Sequence, residues 1–323
     1  MRVLLLLACL PAFAADPLPA LRADKREVTV SGLSSGGYMA VQMHVAHSSS
    51  IAGAGVIAGG PYYCAQGSLA TALYNCMTPG AWTPVPRTEF MQATVEGLAK
   101  LGRIDPLKNL SGSRVWLFTG AQDRVVYPEV VKELRRFYDF RGAKTVLVSD
   151  KPAGHAIVTQ TQGNACGASE TPFINDCGYD AAGELLRHLL GKLDAPSLKP
   201  MGRLATFDQK PYGGHAISMD DSGFVYIPKA CESAACRVHV AFHGCRQNAA
   251  AVEERFVREA GYNRWADTNR LIVLYPQTVA RYWFTFNPRA CWDWWGYNGP
   301  AYHTRDGAQV RAVKAMIDRL GSQ

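Results

Sequence analysis

The chain has 323 residues, of which 48% are hydrophobic and 19% charged. That balance excludes a disordered tail, a collagen-like repeat and a coiled coil, and the length can bury a full core in one large domain or two ordinary ones. Lys and Arg number 34 against 27 Asp and Glu, and the surplus is spread thinly, so it gives no pointer to nucleic acid.

The first residues read as a secretion signal. Arg2 precedes a short apolar run from Val3 to Leu10, and Ala12-Phe13-Ala14 is an A-x-A cleavage site, which makes 15–323 the expected mature chain. A lipoprotein reading with Cys9 in a lipobox is the alternative; the apolar run before Cys9 is short for it. No later stretch reaches the ~18 apolar residues that a membrane span needs. An exported chain without a membrane span is the expectation, acting as a monomer.

The alternating run Glu27 to Ser31 predicts a strand, followed by Gly32-Leu33-Ser34-Ser35-Gly36-Gly37 and a helix over 38–47. Ile51 to Ala58 is small and apolar, which suits a buried parallel strand. From 60 to about 110 the chain is rich in Pro, Gly and Cys, with one helix over 88–101, and reads as a disulfide-stapled insertion. A strand over 115–118, a helix over 128–138, a strand over 145–148 and a helix over 181–193 follow. A Pro-containing connector spans 194–201. Strands over 224–227, 238–242 and 271–275, with helices over 251–260 and 308–320, complete the chain. Alternating strands and helices predict an α/β fold with a mainly parallel central sheet and helices on both faces.

Without Cys9 eight cysteines remain, an even number that suits disulfides in an oxidising compartment. Sequence proximity favours Cys64–Cys76, Cys166–Cys177 and Cys231–Cys236, leaving Cys245–Cys291. A metal site is the rival reading, but there is no CxxC pair and no ladder of histidines, so no metal is expected. The Gly-rich loops match neither a P-loop nor a dinucleotide fingerprint, and no cofactor is implied. Asn109-Leu110-Ser111 is a glycosylation sequon, informative only in a eukaryotic secretory pathway.

Gly32-x-Ser34-x-Gly36 lies between a predicted strand and a predicted helix, the context in which this pattern lifts a serine hydroxyl out of a sheet on a sharp turn. A Gly/Ser-rich turn without chemistry is the plainer alternative. A serine nucleophile needs a base, and the base needs an orienting carboxylate. Asp123 follows the strand over 115–118, and His155 follows the strand ending at Val148, so both are expected on the sheet edge that carries Ser34. Asp123 as a turn residue and His155 as an idle loop histidine are the competing readings. The order Ser, Asp, His is that of α/β-hydrolases. His44, His47 and His188 fall on predicted helices, His239 inside a strand and His215 in a loop with no strand before it. His303, in a polar loop, is the serious rival base.

In an α/β-hydrolase the second oxyanion donor comes from an HG-type loop before the nucleophile. Here Val240-Ala241-Phe242-His243-Gly244-Cys245 is a strand followed by such a loop, far downstream of Ser34. A circular permutation with its junction near 194–201 accounts for that order, since domain termini often lie close together.

Gly32 to Ala40, Ala58-Gly59-Gly60-Pro61-Tyr62-Tyr63-Cys64-Ala65, Phe242 to Gln247 and Cys291-Trp292-Asp293-Trp294-Trp295 together resemble the extracellular poly(3-hydroxybutyrate) depolymerases, in the segment order of their circularly permuted, single-domain members. The resemblance covers nearly the whole mature chain. It implies Ser34 as nucleophile, Asp123 as acid partner, His155 as base, and the backbone N–H groups of Ser35 and Cys245 as the oxyanion hole. It also implies a polyester surface and hydroxyalkanoate oligomers as partners. Feruloyl and acetyl-xylan esterases share the HGC and GLSxGG patterns, and a non-catalytic polymer-surface binding protein is a further alternative.

Between Tyr282 and Tyr297 stand eight aromatics, among them four of the seven tryptophans. A Cys245–Cys291 bond would hold this cluster beside the oxyanion loop as the wall of an apolar cleft. Core packing is the default explanation, and about half of the eight are expected inside. Trp295, with Trp292 and Trp294 behind it, is the expected substrate contact.

Overall fold

The computed structural model describes residues 15–283 and 285–322, so the expected signal over 1–14 lies outside the described residues. In chain order the elements of the first half are β1 (Asp24–Leu33), α1 (Ser35–Ala46), β2 (Ile51–Ile57), α2 (Leu69–Asn75), α3 (Thr88–Lys100), β3 (Arg114–Phe118), α4 (Pro128–Phe140), β4 (Lys144–Val148), β5 (Ile157–Thr159), β6 (Asn164–Ala165), β7 (Ile174–Asp176) and α5 (Ala181–Leu190). The second half holds β8 (Arg203–Asp208), β9 (Ser222–Ile227), β10 (Arg237–Phe242), α6 (Ala249–Val252), α7 (Arg255–Glu259), α8 (Tyr262–Thr268), β11 (Leu271–Tyr275) and α9 (Ala308–Leu320).

Both halves contribute to one eight-stranded sheet in the order β4-β3-β2-β1-β10-β11-β9-β8. The six strands from β4 to β11 run parallel, and β9 and β8 close one edge antiparallel. β2 and β11 are near-continuous apolar runs because helices cover both faces of the sheet interior, while β1 and β10 also bury Thr29, Ser31 and His239. Val30, Val56, Leu117, Val240 and Leu274 pack with α1, α3, α4 and α9 on one side. Leu33, Phe118, Ala241, Val273 and Tyr275 pack with α5, α7 and α8 on the other. Alternate residues of each strand serve opposite cores, as the pleat dictates. All twelve residues of α1 are buried. The glycines of β2 let α5 approach, since a Cβ on Gly55 would stand 2.2 Å from the Leu185 side chain.

Three local expectations are corrected. The helix expected over 251–260 is two short helices, α6 and α7, broken where Glu253 takes φ 53°, and α8 starts after Gly261 at φ 94°. The helix α5 ends at Leu190 rather than 193, because Gly191 at φ 86° turns the chain away. The half-buried edge strand β8 and the small sheet β5-β7-β6 carry too few alternating residues to be seen in the sequence. Four disulfides, Cys64–Cys76, Cys166–Cys177, Cys231–Cys236 and Cys245–Cys291, tie the loops. Among the described residues no helix is long and apolar enough to cross a membrane.

Candidate active site

Ser34 sits between the end of β1 and the start of α1, at φ 57° and ψ −121°. A non-glycine residue holds such a conformation only where its surroundings enforce it. Here the Ser34 N–H donates to the Ile57 carbonyl at 2.9 Å, and its own carbonyl accepts from Tyr38 N–H at 3.0 Å. The flanking glycines have no room for a side chain: a Cβ on Gly32 would lie 2.4 Å from the Gly36 backbone, and one on Gly36 2.4 Å from the carbonyl oxygens of Phe242 and His243. The turn is thereby locked against β10.

Asp123 follows β3 and is fully buried. Its Oδ1 accepts from the amides of Val125 and Val126 at 2.8 and 2.9 Å, so one oxygen is committed to the turn. Its Oδ2 lies 2.8 Å from His155 Nδ1. The turn role and the carboxylate–imidazole pair are therefore one arrangement. His155 follows β4; its N–H donates to Ser169 Oγ at 2.8 Å, and its ring stands edge-on to Phe173. With Nδ1 engaged by the carboxylate, Nε2 is the nitrogen left for proton exchange. Ser34 and His155 line the same cavity, of about 360 Å³.

The loop after β10 supplies the opposite wall. Gly244 N–H donates to Gln247 Oε1 at 2.8 Å and Arg246 N–H to the Arg289 carbonyl at 2.7 Å. The Cys245 N–H between them has no acceptor among the described residues, and neither has the Ser35 N–H at the start of α1. His243 is wholly buried and shapes this loop: Thr278 N–H donates to its Nε2 at 3.2 Å, which leaves Nδ1–H to donate to the Gly244 carbonyl at 2.7 Å. Burial pushes its pKa down to about 4, so it is neutral. Gln247 reaches across to the carbonyls of Pro172 and Phe173 at 2.9 and 3.1 Å, joining the loop to the His155 wall. The sequence motif Phe242 to Gln247 includes this glutamine without showing its role, for a polar residue in a loop carries no signal of what it spans.

The other histidines stand apart. His303 is buried against Tyr62, Tyr63 and Tyr302 and lies outside the cavity; burial lowers its pKa to about 4. His239 bonds to the hydroxyls of Thr29 and Ser31 inside the sheet, and burial takes it to about 3. Neither has a carboxylate on its ring. Among the described residues no group of three or more His, Cys, Asp or Glu could hold a metal ion.

Of the three tryptophans expected at the substrate, Trp294 and Trp295 line the cavity and Trp292 does not. Trp292 is wholly buried, packed edge-on against Phe242 at 5.0 Å, and is a core residue. This corrects the expectation; the loop has no strand or helix period from which its inward direction could be read. Trp294 stacks on Tyr38 at 4.0 Å and meets Trp295 edge-on. The carboxylate of Asp293 accepts from the amides of Gly296, Tyr297 and Asn298 and so holds the turn that follows them. Leu69, Leu73, Met77, Phe173 and Phe286 complete an apolar lining. In the same chain segment Tyr282 and Trp283 are 64% and 80% exposed and do not line the cavity.

No family model matches the chain. It is 46% identical, over 96% of its length, to a poly(3-hydroxybutyrate) depolymerase of Delftia acidovorans, and spans 62% of that protein. It is 36% identical, again over 96% of its length, to a polyhydroxybutyrate depolymerase of Talaromyces funiculosus, of which it covers 94%. Two solved structures superpose with a TM-score of 0.86 at 33% identity, covering 95% of this chain and 100% of theirs: the PHB depolymerase from Penicillium funiculosum, and a PHB depolymerase with serine replaced by alanine, complexed with an R3HB trimer. With its mostly parallel sheet of the α/β-hydrolase type, the chain belongs to the PHB depolymerase family.

Proposed function

We propose that the chain is a secreted serine esterase that hydrolyses poly(3-hydroxybutyrate) and its oligomers through an acyl-enzyme. The observation that carries this reading is the buried Asp123–His155 pair sharing one apolar cavity with Ser34 and with two uncommitted amides. His155 Nε2 takes the Ser34 proton as Oγ attacks the ester carbonyl. The N–H groups of Ser35 and Cys245 hold the oxyanion, and Asp123 keeps the imidazole in the tautomer with Nδ1 protonated. The same histidine returns the proton to the leaving alkoxide and later draws one from water.

Trp294, Trp295, Leu69, Leu73 and Phe286 accommodate the methyl and methylene groups of the polyester. Tyr282 and Trp283, exposed in the segment that carries Phe286, suit contact with a polymer surface. Four disulfides support an oxidising compartment outside the cytoplasm. A single catalytic domain over 15–323, permuted near 194–201, accounts for the nucleophile strand and the oxyanion strand lying side by side although they are far apart in sequence.

Product analysis tests the reading. Incubation with polyhydroxybutyrate should release 3-hydroxybutyrate and its short oligomers, and Ser34→Ala should release none. Release of ferulate from plant polysaccharide in place of these products would overturn it.

A further inference from the structure

Outside Ser34, His155 and Asn287 the cavity that holds the serine is lined mainly by apolar side chains, with one charged region. Its lining includes two cationic side chains, Arg246 and Arg289, and no carboxylate. Neither guanidinium forms an ion pair among the described residues. Two unpaired positive charges beside an ester-binding site are not needed for neutral polymer. Their backbones are tied together, since the Arg246 N–H donates to the Arg289 carbonyl at 2.7 Å, and both residues are exposed at the cavity rim. The Arg246 guanidinium lies 5.3 Å from the centre of the Phe173 ring, and that ring stands edge-on to His155 at 6.3 Å. The cation is thus carried on the wall of the residue that protonates the leaving group.

Hydrolysis of a 3-hydroxyacid polyester divides charge unevenly. The bond from Ser34 Oγ to the carbonyl carbon forms, the ester C–O bond breaks, and the leaving oxygen takes the proton from His155. The acyl fragment left on the serine ends in a hydroxyl. The departing fragment ends in the chain's carboxylate, and when one unit departs that carboxylate lies two carbon–carbon bonds from the carbon bearing the protonated oxygen. A guanidinium on the Phe173 ring that borders the histidine can meet such a carboxylate, and its planar fork suits both oxygens.

We propose that Arg246, assisted by Arg289, is a carboxylate-recognition subsite on the leaving-group side, which selects acid-ended 3-hydroxybutyrate oligomers and directs cleavage next to their acid end. This rests on the polyester reading above. It assigns the two arginines to specificity and leaves the bond-breaking to the serine and histidine.

The test compares the (R)-3-hydroxybutyrate trimer as free acid and as methyl ester, with the full chain, near neutral pH. In dilute buffer kcat/KM for the acid should exceed that for the ester by about tenfold, the worth of one charge-assisted contact. High salt should narrow the gap. Early products of the acid should be monomer and dimer from cleavage at its acid end. Arg246→Gln should collapse the acid-to-ester ratio towards one, and Arg246→Lys should keep part of it. Equal turnover of acid and ester by the native protein would overturn this inference alone, with no variant needed. A ratio untouched by both Arg246→Gln and Arg289→Gln would do the same. Failure to hydrolyse either trimer would remove the polyester reading and this inference together.

Discussion

The two halves of the chain build the cavity in different ways. The first half brings Ser34, Asp123 and His155 to one sheet edge by the ends of β1, β3 and β4, and backbone hydrogen bonds fix each turn. The second half brings Arg246, Phe286, Arg289, Trp294 and Trp295 on long loops, held by the Cys245–Cys291 bond and by side chains such as Gln247 and Asp293. Strand ends give the positional precision that proton transfer demands. Tethered loops give a broad apolar wall for a flexible substrate. The lesson is that the triad comes from strand ends of the first half while the wall is shared. Leu69, Leu73, Met77 and Phe173 come from the first half, beside Trp294 and Trp295 from the second. Triad and wall can be tested by damaging each separately.

The largest effect belongs to the first half. Ser34→Ala or His155→Ala should lower kcat on a soluble ester by about 10⁴-fold or more. Adsorption of the same variants to polyester film should persist, because the wall is untouched; loss of both would blur the division. Removing the tether comes next. Replacing Cys245 and Cys291 together frees a closure spanning 46 residues and should cost about 4 kcal/mol of unfolding free energy, read by urea denaturation.

Asp293 gives a third, pH-dependent effect. Burial pushes its carboxyl up from 3.8 to about 6 despite the amides it accepts from. Between those values the folded protein holds a proton that the unfolded chain has released, so stability falls as pH rises. The difference in unfolding free energy between the native chain and Asp293→Asn should move against the native chain from pH 4 to 7, by roughly 2 kcal/mol. A difference flat with pH would show that the carboxylate is not held as described. The smallest effect is at the wall itself: Trp295→Ala should lower kcat/KM for soluble oligomers by about tenfold to a hundredfold, the loss of one large apolar contact.

Much of this was legible because the signals were local. The GLSSGG turn, the HGC loop and the strand ends before Asp123 and His155 each show within a few residues what their backbone does, and the parallel sheet then gathers them. What escaped depended on distant contacts. Nothing near Trp292 in the sequence says that it packs under Phe242 while Trp294 faces the cavity. The break at Glu253 is likewise invisible, because a glutamate at positive φ has no pattern of its own. Gln247 and Arg246 sit in a recognised motif, yet their reach to Phe173 follows from tertiary packing alone.

The position of β1 carries a consequence for assembly. Among the described residues it is the first strand, and it lies in the middle of the sheet, with β2 on one flank and β10 on the other. During synthesis the second flank stays open until Phe242 has emerged, an unpaired edge of apolar polypeptide that can recruit the wrong neighbour. Factors that shield this open flank should therefore raise the folded yield more than factors that stabilise the finished molecule.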